Sequence, residues 1–452
     1  MPEKNVITLI STIETLTEKK KYAALREILI TLNPADIAAI FAELKEAILP
    51  LLFRLIPKEQ AAETFVEMDS DLQELLIKGF SDSELKEVID ELYVDDAVDI
   101  VEEMPANVVK RILMQADPDM RKMINEILKY PEDSAGSIMT TEFVDLRPQM
   151  TVAEAIKHIR RTGIDKETIN TCYVMDKNRK LIGMISIRTL IISDDEAVIG
   201  EIMETNVISI ATMEDQESVA QMFSKYNFLA MPVVDKEERL VGIITIDDAI
   251  DVMEEETTED IEKMAAIVPS DKPYLKTSIF SLWKGRILWL LILMLSATFT
   301  SMIINHYEAA LQAQVALAAF IPMLMNTAGN AGSQASVTVI RGISLGELSF
   351  RDLPTILWKE FGVSLLCGIT LSVCNFLKLI FIEQTTIPIA LAVCLTLLIT
   401  IVCAKLVGCI LPIVAKKLKL DPAVMSSPFV TTIVDIVSLL IYFAVASALL
   451  SI

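Results

Sequence analysis

Ser427, Thr431, Asp435, Ser438 and Tyr442 are spaced four, four, three and four residues apart in a stretch, SPFVTTIVDIVSLLIYF, that apart from Thr432 is otherwise apolar. On a helix they share one face. Hydroxyls alone would suit a seam between helices. Asp435 needs another reason, because a carboxylate at the centre of a membrane span costs on the order of 3 kcal/mol and such groups face a wet path or a partner. Seven residues past Pro428, it lies roughly 10 Å along the helix, too deep for its short side chain to reach the interface. Lys405, in IVCAKLVGCI, is one candidate partner; an ion pathway is the other reading. A second stripe, Asn326, Asn330, Gln334 and Thr338, recurs every four residues in IPMLMNTAGNAGSQASVTVIRG. Its amide oxygens suit water or solvated cations, while Ala328, Gly329, Ala331, Gly332 and Ala335 suit close approach of neighbouring helices. Both readings stand at this level.

Softer chemistry is poorly provided for. Five of the six cysteines (Cys367, Cys374, Cys394, Cys403 and Cys409) fall singly in the apolar half without a CxxC pair, and the only histidines are His158 and His306, which excludes histidine-based zinc chemistry. No nucleophile–base pair, phosphate loop or catalytic metal motif appears, so the chain reads as a non-enzyme.

The elements that must position these residues are membrane spans. Apolar runs cover about 287–305, 313–340, 354–380, 387–415 and 427–450, each long enough to cross about 30 Å of hydrocarbon. Trp283, Lys284, Arg286 and Trp289, after the amphipathic basic stretch DKPYLKTSIFSLWKGR, read as an interfacial anchor. Arg341, Arg351, Lys359, Lys416, Lys417 and Lys419 fall on one side of the spans and only Lys378 on the other. The positive-inside rule then predicts a cytoplasmic amino terminus and an extracytoplasmic carboxyl terminus in the plasma membrane, in agreement with a charged beginning, MPEKNVITLISTIETLTEKKK, that lacks a cleavable apolar stretch.

Charge divides the chain. The net charge is −22, and 55 of the 62 acidic residues precede Ser281. Such a surface repels nucleic acid and suits either plain solubility or cation binding. Residues 1–130 show helical periodicity broken by LNPAD, IPKEQ and EMPAN, as in stacked helical hairpins. Residues 131–255 contain a duplication. IMTTEFVDLRPQMTVAEAIKHI followed by CYVMDKNRKLIGMISIRTLI is echoed by IMETNVISIATMEDQESVAQMF followed by MPVVDKEERLVGIITIDDAI. Each copy reads as strand, helix, strand, turn, strand, helix. The offset is 64 residues at Met139 and Met203 but 59 at Gly183 and Gly242, so a loop of the first copy is five residues longer. The segment 256–284 continues an acidic helix, DDAIDVMEEETTEDIEKMAAIV, toward the bilayer, and 285–452 holds the five spans.

The duplication resembles a tandem pair of CBS domains, a regulatory module that senses a ligand. Together with YPEDSAGSIMTTEF, PMLMNTAGNAGSQ and DPAVMSSPFVTTIVDIVSLLIYF it makes the whole chain resemble the MgtE family of magnesium channels. The resemblance implies an all-α superhelical amino-terminal domain, α/β CBS domains and a five-helix membrane domain. It also implies a homodimer in lipid whose ten membrane helices surround one pore, where Asp435 of both subunits binds a largely hydrated Mg2+. That ion prefers octahedral oxygen ligands and sheds water reluctantly, so Thr431 and Asn330 are the expected helpers. The resemblance further implies that cytosolic Mg2+ gates the pore by binding Asp95, Asp99, Asp248, Asp251, Glu256, Glu259 and Asp260. ATP is an implied regulatory ligand at Arg188 and Phe228, with Asp248 serving either a ribose or a metal. Asn227, Asn326 and Ala328 depart from the residues common in the family. The alternatives are a proton- or cation-coupled divalent metal exchanger built on Asp435, which an Asp435–Lys405 pair would favour, and a CBS-regulated membrane sensor that conducts nothing.

Overall fold

In a computed structural model of the chain, residues 3–270, 274–275, 277–425 and 427–450 are described. Residues 271–273 and 276 of the predicted basic approach to the bilayer lie outside the described residues. Within Glu3–Ile127, ten short α-helices, α1 to α10, follow one another. Local signals start them: the Asn33 side chain accepts from Ala35 N with Pro34 in the first turn, and Ser81 and Glu84 form a reciprocal capping box. One of the ten, α8 (Val94–Glu103), buries Val94, Ala97, Val98, Ile100 and Val101, and Asp95 with them.

The duplicated region follows. The first copy comprises β1 (Asp145–Leu146), α11 (Val152–Thr162), β2 (Thr171–Met175), β3 (Leu181–Ser186) and α12 (Ile187–Ile192). After α13 (Ile199–Ile202), the second copy comprises β4 (Ile210–Ala211), α14 (Gln216–Tyr226), β5 (Ala230–Val234) and β6 (Leu240–Thr245), and leads into the acidic helix α15 (Ile246–Met264). Each forms a three-stranded sheet, parallel for its first pair and antiparallel for its second. The duplication extends to register, since Val174 faces Gly183 and Val233 faces Gly242, each beside an irregularity. The copies also exchange their leading segments. A Cβ on Gly183 would strike Met203, and one on Gly242 would strike Met139, while Thr140 bridges Ile243 and Met184 bridges Glu204. The extra length of the first copy lies between α11 and β2, where a 3-10 turn (Gly163–Asp165) opens a loop that carries Glu167. In the second copy Asn227 ends α14 in the left-handed conformation at φ 54°, which asparagine tolerates better than most side chains.

Contacts divide the chain into two compact units, one ending at Val252 and the other beginning at Met253. Among its described residues the second unit contains five helices long and apolar enough to cross a membrane. They are α16 (Ile279–His306), α18 (Ile321–Ser344, entered through a 3-10 segment from Val315), α19 (Leu353–Phe381), α20 (Ile387–Lys417) and α21 (Ser427–Leu450), with a short α17 (Glu308–Ala313) after the first. The small residues of α18 settle into packing. Gly332 lies against Ala404 O and Val430, and Gly408 of α20 lies directly on the Gly332 carbonyl, so these two helices cross at backbone contact. Leu317, Leu324, Val393, Leu397, Tyr442 and Phe443 fill the core at one end of this unit.

Candidate cation sites

The two polar stripes converge. A cavity of about 430 Å3 is lined by Ile321, Pro322, Met325, Asn326, Gly329 and Asn330 from α18 and by Thr431 and Asp435 from α21. Pro322 sits in the first turn of α18, where its missing N–H costs no helical hydrogen bond. Thr431 Oγ1 donates to Pro428 O at 3.0 Å, and its methyl group packs on Gly329. A larger residue at 329 would crowd Thr431, so the glycine keeps the two stripes close.

Asp435 is half-buried and has no hydrogen-bond or ion-pair partner among the described residues. Of the two sequence readings of Asp435, the one with Lys405 as its partner does not hold. Lys405 Nζ lies 3.2 Å from Glu360 Oε2, with the two side chains only 7% and 19% exposed. Glu360, on α19, answers the lysine. The rest of the serine–tyrosine stripe also divides by role: Ser427 bonds Ser333 at 2.9 Å, Tyr442 donates to Leu317 O at 2.9 Å, and Ser438 is fully buried. These are packing contacts. Asn326, Asn330, Gln334 and Thr338 all lie exposed along one face of α18.

A second constellation lies in the unit that ends at Val252. Asp95, Glu142 and Glu167 each place a carboxylate oxygen within 4.8 Å of the others. Asp95 is 6% exposed, and its Oδ1 and Glu167 Oε2 are buried without hydrogen-bond partners. Glu142 accepts from Val94 N at 3.3 Å, tying the start of α8 to the first copy. Burial and the neighbouring carboxylates raise Asp95, Glu167 and three aspartates around them. Asp95 is pushed up to about 7 by burial and Asp96, Asp96 to about 7 by burial and Asp248, and Asp99 to about 8 by burial and Asp248. Glu167 reaches about 9 through burial and then Asp95, and Asp248 about 7 through burial and then Asp95. Thr245 opposes the shift at Asp248 by donating Oγ1–H to Oδ2 at 2.5 Å. A buried set of carboxylates that resist ionising together is relieved by a hard cation, which takes oxygen ligands and displaces protons.

Asp95, Asp99 and Asp248 thus come together, joined by Asp96, Glu142, Glu167 and Asp247, which sequence reasoning missed. One signal for Glu167 was present, since it stands in the loop that makes the first copy longer. The remaining acidic candidates are placed differently. Asp251 is exposed on α15 and Glu256 is half-buried there; Glu259 pairs with Lys263, and Asp260 accepts from Ser344. Arg188 is exposed at the start of α12, and half-buried Phe228 stacks on Tyr226 at 5.7 Å.

Three profiles cover most of the chain. One described as a divalent cation transporter (MgtE) matches residues 321–445, the MgtE intracellular N domain matches 32–133, and the CBS domain matches 135–194 and 199–255. The magnesium transporter MgtE of Thermus thermophilus is 39% identical over 94% of this chain and 95% of its own length. That of Bacillus subtilis is 33% identical over 97% of both chains. Among solved structures, the cytosolic domain of the Mg2+ channel MgtE in complex with ATP is 36% identical, with a TM-score of 0.52 over 54% of this chain and 99% of its own. The soluble part of a magnesium transporter gives 30% identity and a TM-score of 0.52 over 56% and 99%. With the CBS pair, the helical amino-terminal part and the five-helix membrane part all matched in order, this chain belongs to the MgtE family.

Proposed function

We propose that the protein carries Mg2+ across the plasma membrane as a channel, through a path lined by Asp435, Thr431 and Asn330, and that cytosolic Mg2+ closes it. The observation that carries the reading is the unpaired Asp435 carboxylate, which shares a cavity with two carboxamides and a hydroxyl. Mg2+ keeps much of its hydration shell, and a roomy cavity with one strong anion and neutral oxygen helpers suits such an ion. The relatives named magnesium transporters support the choice of cargo and a transport role rather than an enzymatic one.

The exposed amide stripe of α18 supports a homodimer, because a row of Asn and Gln facing lipid is unfavourable and a row facing a second copy across a wet pore is not. Loop charge supports a cytoplasmic amino terminus and an extracytoplasmic carboxyl terminus. On this reading 1–130 and 131–255 are the sensing parts, 256–284 the connection and 285–452 the pore. The sensor cation sits among Asp95, Asp99 and Asp248, with Glu142 and Glu167 as further ligands, and Asp251, Glu256, Glu259 and Asp260 extend the acidic surface along α15. ATP at Arg188 and Phe228 is a regulatory ligand, supported by the ATP complex of the related cytosolic domain. The exchanger reading loses its distinguishing feature, because Lys405 is engaged by Glu360.

Voltage-driven Mg2+ uptake into liposomes tests the pore. Asp435→Ala is expected to lose nearly all flux without any change in folding. Uptake at the parent rate would reject the site, and strict dependence on a pH difference would replace the channel by an exchanger.

A further inference from the structure

Helix α15 carries nine acidic residues and one base, Lys263. That base is placed with purpose. Its Nζ lies 2.6 Å from Glu259 Oε1, one turn back on the same helix, and 2.7 Å from Asp421 Oδ2 in the connection between α20 and α21. Asp421 is itself fixed, since its Oδ1 accepts from Ala423 N at 2.8 Å. One residue along from Glu259, Asp260 accepts a hydrogen bond from Ser344 at the end of α18, at 2.9 Å. Burial pulls the Lys263 ammonium down, but hydrogen bonds to Asp421 and Glu259 outweigh it and leave the group above the ordinary lysine value. Three carboxylates, Glu259, Asp260 and Asp421, therefore gather around the Lys263 ammonium, which supplies balancing charge among the described residues.

We propose that Lys263 is a tethered counter-ion that latches α15 to the α20–α21 connection through Asp421, so that this contact holds without a metal ion. The physical reason is effective concentration. A divalent cation bridging the same carboxylates must be drawn from solution, whereas the lysine is always present on the helix. The latch deepens the gating reading above and rests on it for its effect on flux. There it sets the threshold: with Lys263 present, less cytosolic Mg2+ is needed to keep α15 against the ends of the pore helices.

The test measures the contact and the flux separately on the full-length protein. Hydrogen–deuterium exchange of the segment around 257–266 is followed in EDTA, and Mg2+ inhibition of flux is followed in liposomes. Lys263→Gln is expected to speed exchange there several-fold in EDTA and to raise the Mg2+ concentration for half-inhibition several-fold. Lys263→Arg should keep the parent behaviour, and the charge swap Lys263→Asp with Asp421→Lys should recover most of it. Glu259→Gln, which removes only the pair within the helix, should change exchange much less than Lys263→Gln. Equal exchange in parent and Lys263→Gln overturns the latch, as does a charge swap that fails to recover either readout. Faster exchange with an unchanged half-inhibiting Mg2+ concentration leaves the latch standing but overturns its part in setting the threshold, whereas no inhibition in parent or variant sinks the gating reading instead.

Discussion

Replacing Glu167 by Gln tests whether the buried carboxylates of the unit that ends at Val252 are built for a cation. Asp95, Glu142 and Glu167 bring oxygens within 4.8 Å of one another. At that spacing two unit charges repel by about 3.5 kcal/mol at an effective dielectric of about 20. Raised to about 9, Glu167 stays largely protonated near neutrality, so the folded protein meets this repulsion as the cost of holding the proton; discounted by about half for its partial exposure, ~2 kcal/mol is what its removal returns to the metal-free protein. The sign follows from the shifts. Carboxyls raised from 3.8 to about 7 for Asp95 and from 4.5 to about 9 for Glu167 bind protons more tightly folded than unfolded. Their favourable contribution is complete below the unfolded value and is lost as pH rises through the folded one. Metal-free parent protein should lose stability from about pH 4 to about pH 9, with the Glu167 share leaving last.

The assay is thermal unfolding of full-length protein in detergent at about pH 8, in EDTA and in saturating Mg2+. In EDTA, Glu167→Gln should raise the transition of the unit that ends at Val252 by about 4–8 °C. In Mg2+ it should gain less than the parent does, because one anionic ligand is gone. A Glu167→Gln protein that is less stable than the parent in EDTA, or that gains the same increment from Mg2+, would refute the reasoning. The first outcome makes the carboxylates structural; the second leaves them without a cation.

Neutral amides at Asp95, Asp99 and Asp248 should leave permeation intact and relieve inhibition by cytosolic Mg2+, measured as flux into liposomes against Mg2+ on the sensor side; full inhibition in the triple variant counts against the assignment. Lys405→Met leaves Glu360 charged and unpaired in the membrane unit and should destabilise it by about 3–5 kcal/mol, whereas Lys405→Met with Glu360→Leu should lose far less; thermal unfolding in detergent separates the two. Gly408→Val puts side-chain atoms on the Gly332 carbonyl and should force α18 from α20, lowering both thermal stability and uptake, while Gly362→Ala, with nothing within 4 Å of the added carbon, should do neither.

Much of this was readable along the chain because period and composition are local properties. The five spans were expected from apolar length, and the helices found are α16, α18, α19, α20 and α21, α16 starting eight residues earlier than the apolar run because its first two turns carry Trp283, Lys284 and Arg286. The duplication was visible as repeated words, and its two landmarks turned out to touch across copies, Met139 on Gly242 and Met203 on Gly183. Asp435 was legible as an anomaly, since one acid in a span stands out against every neighbour. Sequence alone thus determined the class of each part, the polar stripes and the acidic excess, for these depend on residue type at helical spacing. Only the tertiary structure decided who meets whom. It gave Lys405 to Glu360, 45 positions away, and left Asp435 free beside Asn330. It also drew Glu142 and Glu167 to Asp95. Those outcomes depend on how elements distant in sequence pack, and at a few ångströms packing determines which charges are paired and which are left without a partner.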